Sequence, residues 1–222
     1  MKIFITGGTG YVGRAIIKKL LEEGHQLSCL VRKGSENKLG NLINHITFVE
    51  GDALDINSFN VAGHDAIIHL IAIIKEIPSK NITFHKYNYL SAKNLIDKAQ
   101  QEHVNRFLLM SAVKNPPGLL KDYYKTKVEA ENYLKASKLS WTILKPSLIY
   151  DKSWIGKSLG WIKYLIPFFT LGSMLPVIGN FFSTNKPISR TQIATAYANV
   201  LTNDSTIQTS LSGKTLFQLT NQ

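Results

Sequence analysis

Lys2-Ile3-Phe4-Ile5-Thr6-Gly7-Gly8-Thr9-Gly10-Tyr11-Val12-Gly13 opens the chain, and the order of its parts decides the fold. KIFIT, residues 2–6, has the β-branched and aromatic content of a strand. From Tyr11 to Glu23 the apolar residues Val12, Ile16, Ile17, Leu20 and Leu21 fall on one helical face, and Gly24 stands where a helix C′ residue belongs. Between strand and helix lie two overlapping glycine patterns, Gly8-x-Gly10-x-x-Gly13 and Gly7-x-x-Gly10-x-x-Gly13. In that setting the early glycines permit a tight turn, Gly10 lets backbone approach a pyrophosphate, and Gly13 lets the helix close on the strand. The anion then rests on N–H groups at the positive end of the helix dipole. Gly7, Gly8, Thr9, Gly10, Tyr11, Val12 and Gly13 are therefore the expected phosphate-binding segment.

The same alternation continues. Strands are predicted at QLSCLVR (26–32), within HITFVEGD (45–52), at DAIIHLIAI (65–73), NRFLLMSA (105–112) and SWTILKPS (140–147). Helices are predicted around 82–103, at 124–137 and at 189–202, with a final strand near 214–220. Strands alternating with helices imply a parallel sheet covered on both faces, and right-handed crossovers make it a doubly wound, Rossmann-like α/β fold. No repeat or linker divides the chain, so residues 1–222 read as a single domain in which 151–222 forms a small substrate-side cap.

Composition excludes other classes. Hydrophobic types make up 44% of 222 residues, enough for a continuous core and too many for a disordered chain. The single Cys29 rules out a disulfide framework and fits a reducing, cytoplasmic setting. The six histidines show no metal-ligand spacing, so no metal is expected. No nucleic-acid-binding motif occurs.

The net charge of +11 is unevenly spread. Residues 111–222 hold 13 basic and 5 acidic side chains, a balance of +8, and no acidic residue occurs between Asp151 and Asp204. Such a surface suits polyanions, or is a solvated basic face. Tyr164 to Asn185 is 22 residues without a charge, preceded by Trp154, Lys157, Trp161 and Lys163. Core or the lining of an apolar substrate pocket is one reading. Peripheral contact with an anionic membrane surface around 154–182 is the second, which would place a cytoplasmic protein at the inner membrane, and a bilayer span is the third, against which Pro167, Gly172, Pro176 and Gly179 argue.

Nineteen residues past Gly13, at the end of the second predicted strand, stands Arg32, followed by Lys33. A carboxylate there would suit the ribose 2′-hydroxyl of NAD, whereas a guanidinium suits the 2′-phosphate of NADP. NADP is the expected cofactor and NAD the second choice. Tyr123-Tyr124-Lys125-Thr126-Lys127 contains Tyr-x-x-x-Lys, which puts Tyr123 and Lys127 on one helical face. A tyrosine hydroxyl can donate a proton to a carbonyl oxygen while a neighbouring ammonium lowers its pKa, and Ser111 at a strand end can bond the same oxygen. Tyr124 competes for the tyrosine role.

TGGTGYVG, LVRKGS, EGDALD (50–55), HLIAI (69–73) and KPSLIY (145–150), taken together, resemble the atypical short-chain dehydrogenase/reductase superfamily over nearly the whole chain. The likeness extends to the branch of the NADPH-binding accessory subunit of respiratory complex I, with the NmrA-like sensors beside it. The resemblance implies adenine contact at Asp52 and Ala53, a cofactor-lining strand end at Leu70, Ile71 and Ala72, and Pro146 beside the nicotinamide. It further implies catalytic roles for Ser111, Tyr123 and Lys127, with Lys127 on the nicotinamide ribose. Two functions follow: an oxidoreductase acting on an apolar carbonyl or quinone-like substrate, or a non-catalytic NADPH-binding sensor or assembly subunit of a membrane complex.

Overall fold

A computed structural model describes residues 1–113, 120–151, 171 and 185–220. Its main sheet has seven strands, all parallel, in the order β3-β2-β1-β4-β5-β6-β9. These are β1 (Lys2–Thr6), β2 (Gln26–Val31), β3 (Thr47–Glu50), β4 (Ala66–His69), β5 (Arg106–Met110), β6 (Ser140–Lys145) and β9 (Thr209–Ser212). A separate parallel pair joins β7 (Ile149–Tyr150) to β8 (Ile188–Ser189). Among the described residues the main α-helices are α1 (Tyr11–Glu22), α2 (Ser91–Gln101), α3 (Lys121–Lys135), α4 (Arg190–Thr202) and α5 (Gly213–Gln218). The doubly wound Rossmann-like α/β fold expected from the sequence is the fold observed.

Strand periodicity explains why both faces are covered. Along β1, Ile3 and Ile5 point to one side and Phe4 to the other, as the two-residue period requires. Ile3 and Ile5 join Cys29, Ile68, Leu108 and Leu144 under Ile16, Ile17 and Leu20 of α1 and Ile193, Tyr197 and Val200 of α4. Phe4 joins Ile67, Phe107, Leu109 and Ile143 under Leu95 and Ile96 of α2 and Ala130 and Leu134 of α3. Strands buried on both faces read as near-continuous apolar runs, which is how DAIIHL and NRFLLM look in sequence.

Local chemistry sets the ends. Gly24 has φ +78°, the left-handed value a C′ residue needs, and the His25 N–H returns to the Leu20 carbonyl. At α4, Ser189 and Gln192 exchange the two bonds of a capping box. Arg106 is buried at the opposite end of the sheet, where its guanidinium donates to the carbonyls of Ser140 and Val200 and to Thr206 Oγ1.

Two expectations need correction. The strand predicted near 214–220 is helix α5, and the last strand is the shorter β9 before it. Ser212 caps α5 together with Thr215, and that cap turns the chain into a helix once the β6 edge has been paired. The strand predicted over 65–73 ends at His69. Beyond it Asn88 holds Ile73, accepting from its N–H at 2.8 Å and donating to its carbonyl at 3.3 Å, so the chain bends away from the sheet.

Among the described residues no helix is long and apolar enough to cross a membrane. Almost all of the basic, apolar stretch of 154–182 proposed to touch membranes, and of the uncharged run of 164–185, lies outside the described residues.

Candidate cofactor and active site

β1 and β4 are neighbours, but the chain leaves β1 toward β2 and β3 and leaves β4 toward β5 and β6. Connections diverging to opposite sides open a crevice at the C-terminal strand ends, the usual ligand position in open α/β sheets. A cavity of about 260 Å³ occupies that position. Gly7, Thr9 and Gly10 form one wall, Arg32 follows β2, Asp52 and Ala53 follow β3, and Leu70, Ile71 and Ala72 face the glycine loop. Of the residues expected to hold cofactor, these nine line one cleft.

Gly8, Tyr11, Val12 and Gly13 lie beside the cleft rather than along its lining. Gly8 and Gly13 serve it from beneath. A Cβ on Gly13 would stand 2.3 Å from the Gly7 carbonyl oxygen and 2.7 Å from Gly8 Cα, and one on Gly8 would meet Cys29 Sγ at 2.4 Å. Only glycine lets α1 close on the loop this tightly. Gly10, the N-cap of α1, has no side chain to occupy the first helical N–H groups, and the first turn carries no acidic residue. A bare backbone at a helix N-terminus fits a dinucleotide pyrophosphate. Val12 packs against the α1-side core. The ring of Tyr11 lies under the Arg190 guanidinium at 4.9 Å, and Arg190 also pairs with Asp151 at 2.7 Å.

Past β3, Asp52 Oδ1 accepts from the Leu54 N–H at 3.0 Å, and Asn94 holds the Ala53 carbonyl at 3.0 Å. Arg32 donates from Nη1 to the Tyr87 hydroxyl at 3.3 Å. The sequence reading missed Ser35, Lys38, Tyr87 and Ser91, which line the same cleft. The run Arg32-Lys33-Gly34-Ser35, with Lys38 after it, carried a readable signal of basic and hydroxyl side chains. Tyr87 and Ser91 carried none, because only the tertiary fold brings them to the cleft.

Of the residues read as catalytic, Ser111 and Lys127 meet the end of β5, Tyr123 lies one turn before Lys127 on α3, and none of the three lines that cavity. Ser111 continues the strand pairing by donating its N–H to Leu144, and Val113 does so to Pro146. Ser111 Oγ donates to Glu131 Oε1 at 2.5 Å. Glu131, 3% exposed, also pairs with Lys145 at 2.5 Å. Sequence reasoning overlooked Glu131, although it lies four residues past Lys127 and so on the same helical face. Lys127 is 3% exposed and donates to the Met110 carbonyl at 2.7 Å; burial lowers its pKa to about 8, with Glu131 pulling the other way.

Tyr123 packs edge-on against Phe84 and Tyr124, and burial pushes its hydroxyl up to about 12. The expected lowering by Lys127 is not what the geometry produces: desolvation is the leading influence on the phenol, and the ammonium is turned to Met110.

Lys127 yields a prediction independent of function. Its folded pKa lies below that of the unfolded chain, so the folded state resists protonation, and stability rises with pH between about 8 and 10.5. Relative to Lys127→Met, the wild type should gain about 3 kcal/mol over that window. Urea unfolding of both proteins at pH 7.5 and pH 10 measures it; parallel behaviour would show that Lys127 is not desolvated.

The NAD(P)H-binding family model matches residues 7–161. The chain belongs to that NAD(P)H-binding family. An oxidoreductase from Lactococcus lactis shares the fold at a TM-score of 0.70 and 22% identity, covering 100% of this chain and 95% of that one. A 3-beta-hydroxysteroid dehydrogenase of Mycolicibacterium neoaurum is 32% identical over 117 residues, which are 48% of this chain and 31% of that protein. The photosystem II assembly factor Ycf39 of Cyanophora paradoxa is 24% identical over 152 residues, 65% of this chain and 44% of that protein. The matches thus span between about a third and a half of these curated relatives' lengths.

Proposed function

We propose that this chain is an NADP(H)-dependent oxidoreductase acting on an apolar carbonyl or quinone-like substrate. The observation that carries the reading is the convergence of the glycine loop, Arg32 and Asp52 on one cleft at the sheet's switch point. Gly7 to Gly13 would take the pyrophosphate, Asp52 and Ala53 the adenine, and Arg32 the 2′-phosphate. The apolar substrate class is supported by the uncharged run of 164–185 and by the steroid named in one relative.

The nicotinamide, when bound, supplies or accepts a hydride. Tyr123, with its hydroxyl near 12, holds its proton throughout the neutral range and can deliver it to a substrate oxygen. Lys127 has three donors, one used by Met110, and the others suit the nicotinamide ribose. Ser111, whose single hydrogen is committed to Glu131, orients that carboxylate beside Lys145.

Calorimetric titration with NADPH and NADH tests the cofactor reading. NADPH should bind more tightly, and Arg32→Asp should reduce the NADPH-to-NADH affinity ratio by tenfold or more, since a charge-assisted pair becomes a repulsion. An unchanged ratio would remove Arg32 from the site, and no binding at millimolar NADPH would overturn the whole reading.

A further inference from the structure

A directed hydrogen-bond chain runs beneath the cofactor cleft. His69, fully buried at the end of β4, has Thr6 Oγ1 2.7 Å from Nδ1 and Ser91 Oγ 3.2 Å from Nε2. Ser91 Oγ donates its only hydrogen to the Tyr87 carbonyl at 2.7 Å. It can therefore only accept from His69, which fixes the proton on Nε2 and leaves Nδ1 to accept from Thr6. Burial keeps the ring neutral, with the Lys127 charge acting in the same direction. The chain thus reads Thr6 to His69 to Ser91 to Tyr87, and Thr6 is the residue immediately before Gly7.

Tyr87 lies on a short π-helical turn, His85–Leu90, that leads into α2. Such turns concentrate at functional sites because they re-aim side chains out of helical register. Here the turn directs the Tyr87 hydroxyl to Arg32 across the cleft, 3.3 Å from Nη1, with the guanidinium 5.8 Å from the ring centroid. Arg32 is thereby held from the opposite wall, by a residue whose backbone is pinned through His69 to the start of the phosphate loop.

We propose that Tyr87 is a positioning residue for cofactor specificity: it holds Arg32 in the orientation that reads a phosphate on the adenosine ribose, and the buried Thr6–His69–Ser91 chain fixes Tyr87 for that task. The inference rests on the NADP reading of Arg32 given above. A long cationic side chain left free must be ordered when the anion binds, so holding it in place beforehand favours the phosphorylated cofactor over its unphosphorylated counterpart.

The test is a double-mutant cycle in the full chain with Arg32→Ala, Tyr87→Phe and the double variant, reading NADPH and NADH dissociation constants by calorimetry. Tyr87→Phe keeps the ring and removes one hydroxyl. It should weaken NADPH by about three- to tenfold, the range expected for one lost hydrogen bond, while NADH changes less than twofold. In the Arg32→Ala background the same change should leave NADPH affinity unaltered. Equal loss for both cofactors would mean that Tyr87 only shapes the cleft, and an undiminished effect without Arg32 would mean that it acts independently; either overturns the proposal. If Arg32→Ala itself leaves the NADPH-to-NADH ratio unchanged, the underlying NADP reading fails instead. Ser91→Ala, which cuts the buried chain but leaves both Tyr87 and Arg32, should lower the same ratio; an unchanged ratio would remove the buried chain from the proposal.

Discussion

Alanine at Gly13 is expected to abolish measurable NADPH binding and to destabilise the fold by roughly 3 kcal/mol, the upper part of the range for overpacking. The added methyl would stand 2.3 Å from the Gly7 carbonyl oxygen and within 3 Å of two Gly8 backbone atoms. These are main-chain atoms, so no side-chain rotation can make room. Either α1 moves off β1 or the loop opens, and both displace the N–H groups that would hold the pyrophosphate. Gly24→Ala is the informative control. It has open space around its Cβ, and its cost comes from φ +78°, about 1 kcal/mol and remote from the cleft. Calorimetry with NADPH and urea unfolding separate the two variants. Retention of NADPH affinity within threefold by Gly13→Ala would show that the glycine loop does not carry the phosphate.

The fold and the glycine loop at the start of α1 were legible because each rests on contiguous sequence. KIFIT followed by three spaced glycines and an amphipathic helix is a local pattern, and strands buried on both faces announce themselves as apolar runs. The C-terminal end was less legible. KTLFQLT carries strand-forming residues, yet the Ser212–Thr215 cap makes a helix of most of it, and the edge of β6 had already been paired by TSLS. The cleft wall formed by Arg32, Asp52 and Tyr87 followed the same division. Arg32 and Asp52 sit at strand ends that sequence can locate, whereas Tyr87 and Ser91 reach the cleft through a helix some fifty residues on. The relation among Ser111, Glu131 and Lys145 was hidden for a further reason. A buried carboxylate shared by a serine and a lysine is a tertiary event, and the Tyr-x-x-x-Lys spacing drew the reading to Tyr123 and Lys127 instead.

Tyr123→Phe carries the second large expected effect. If Tyr123 delivers the proton in the proposed reduction, its loss should lower kcat/KM with NADPH and an apolar ortho-quinone or aryl ketone by 10²- to 10⁴-fold, the range for removing a general acid. Cofactor affinity should stay within twofold, because the phenol is not part of the cleft lining. Tyr124→Phe decides between neighbours: the two rings touch at 5.0 Å, but only one hydroxyl can serve. Loss of rate in Tyr124→Phe with Tyr123→Phe active would transfer the role, and full activity of both would exclude a tyrosine acid. The pH profile supplies an independent check. With its hydroxyl near 12, Tyr123 remains protonated to well above neutrality, so it predicts no fall in the reduction rate between pH 6 and 10. Lys127, at about 8, loses its charge inside that window. Since an ammonium binds the ribose and a neutral amine binds it less well, kcat/KM should be level below pH 8 and fall above it, up to tenfold per pH unit. In Lys127→Met the rate should be low throughout and the break near pH 8 should vanish. A break that persists without Lys127 would assign it to another group and remove the lysine from the mechanism.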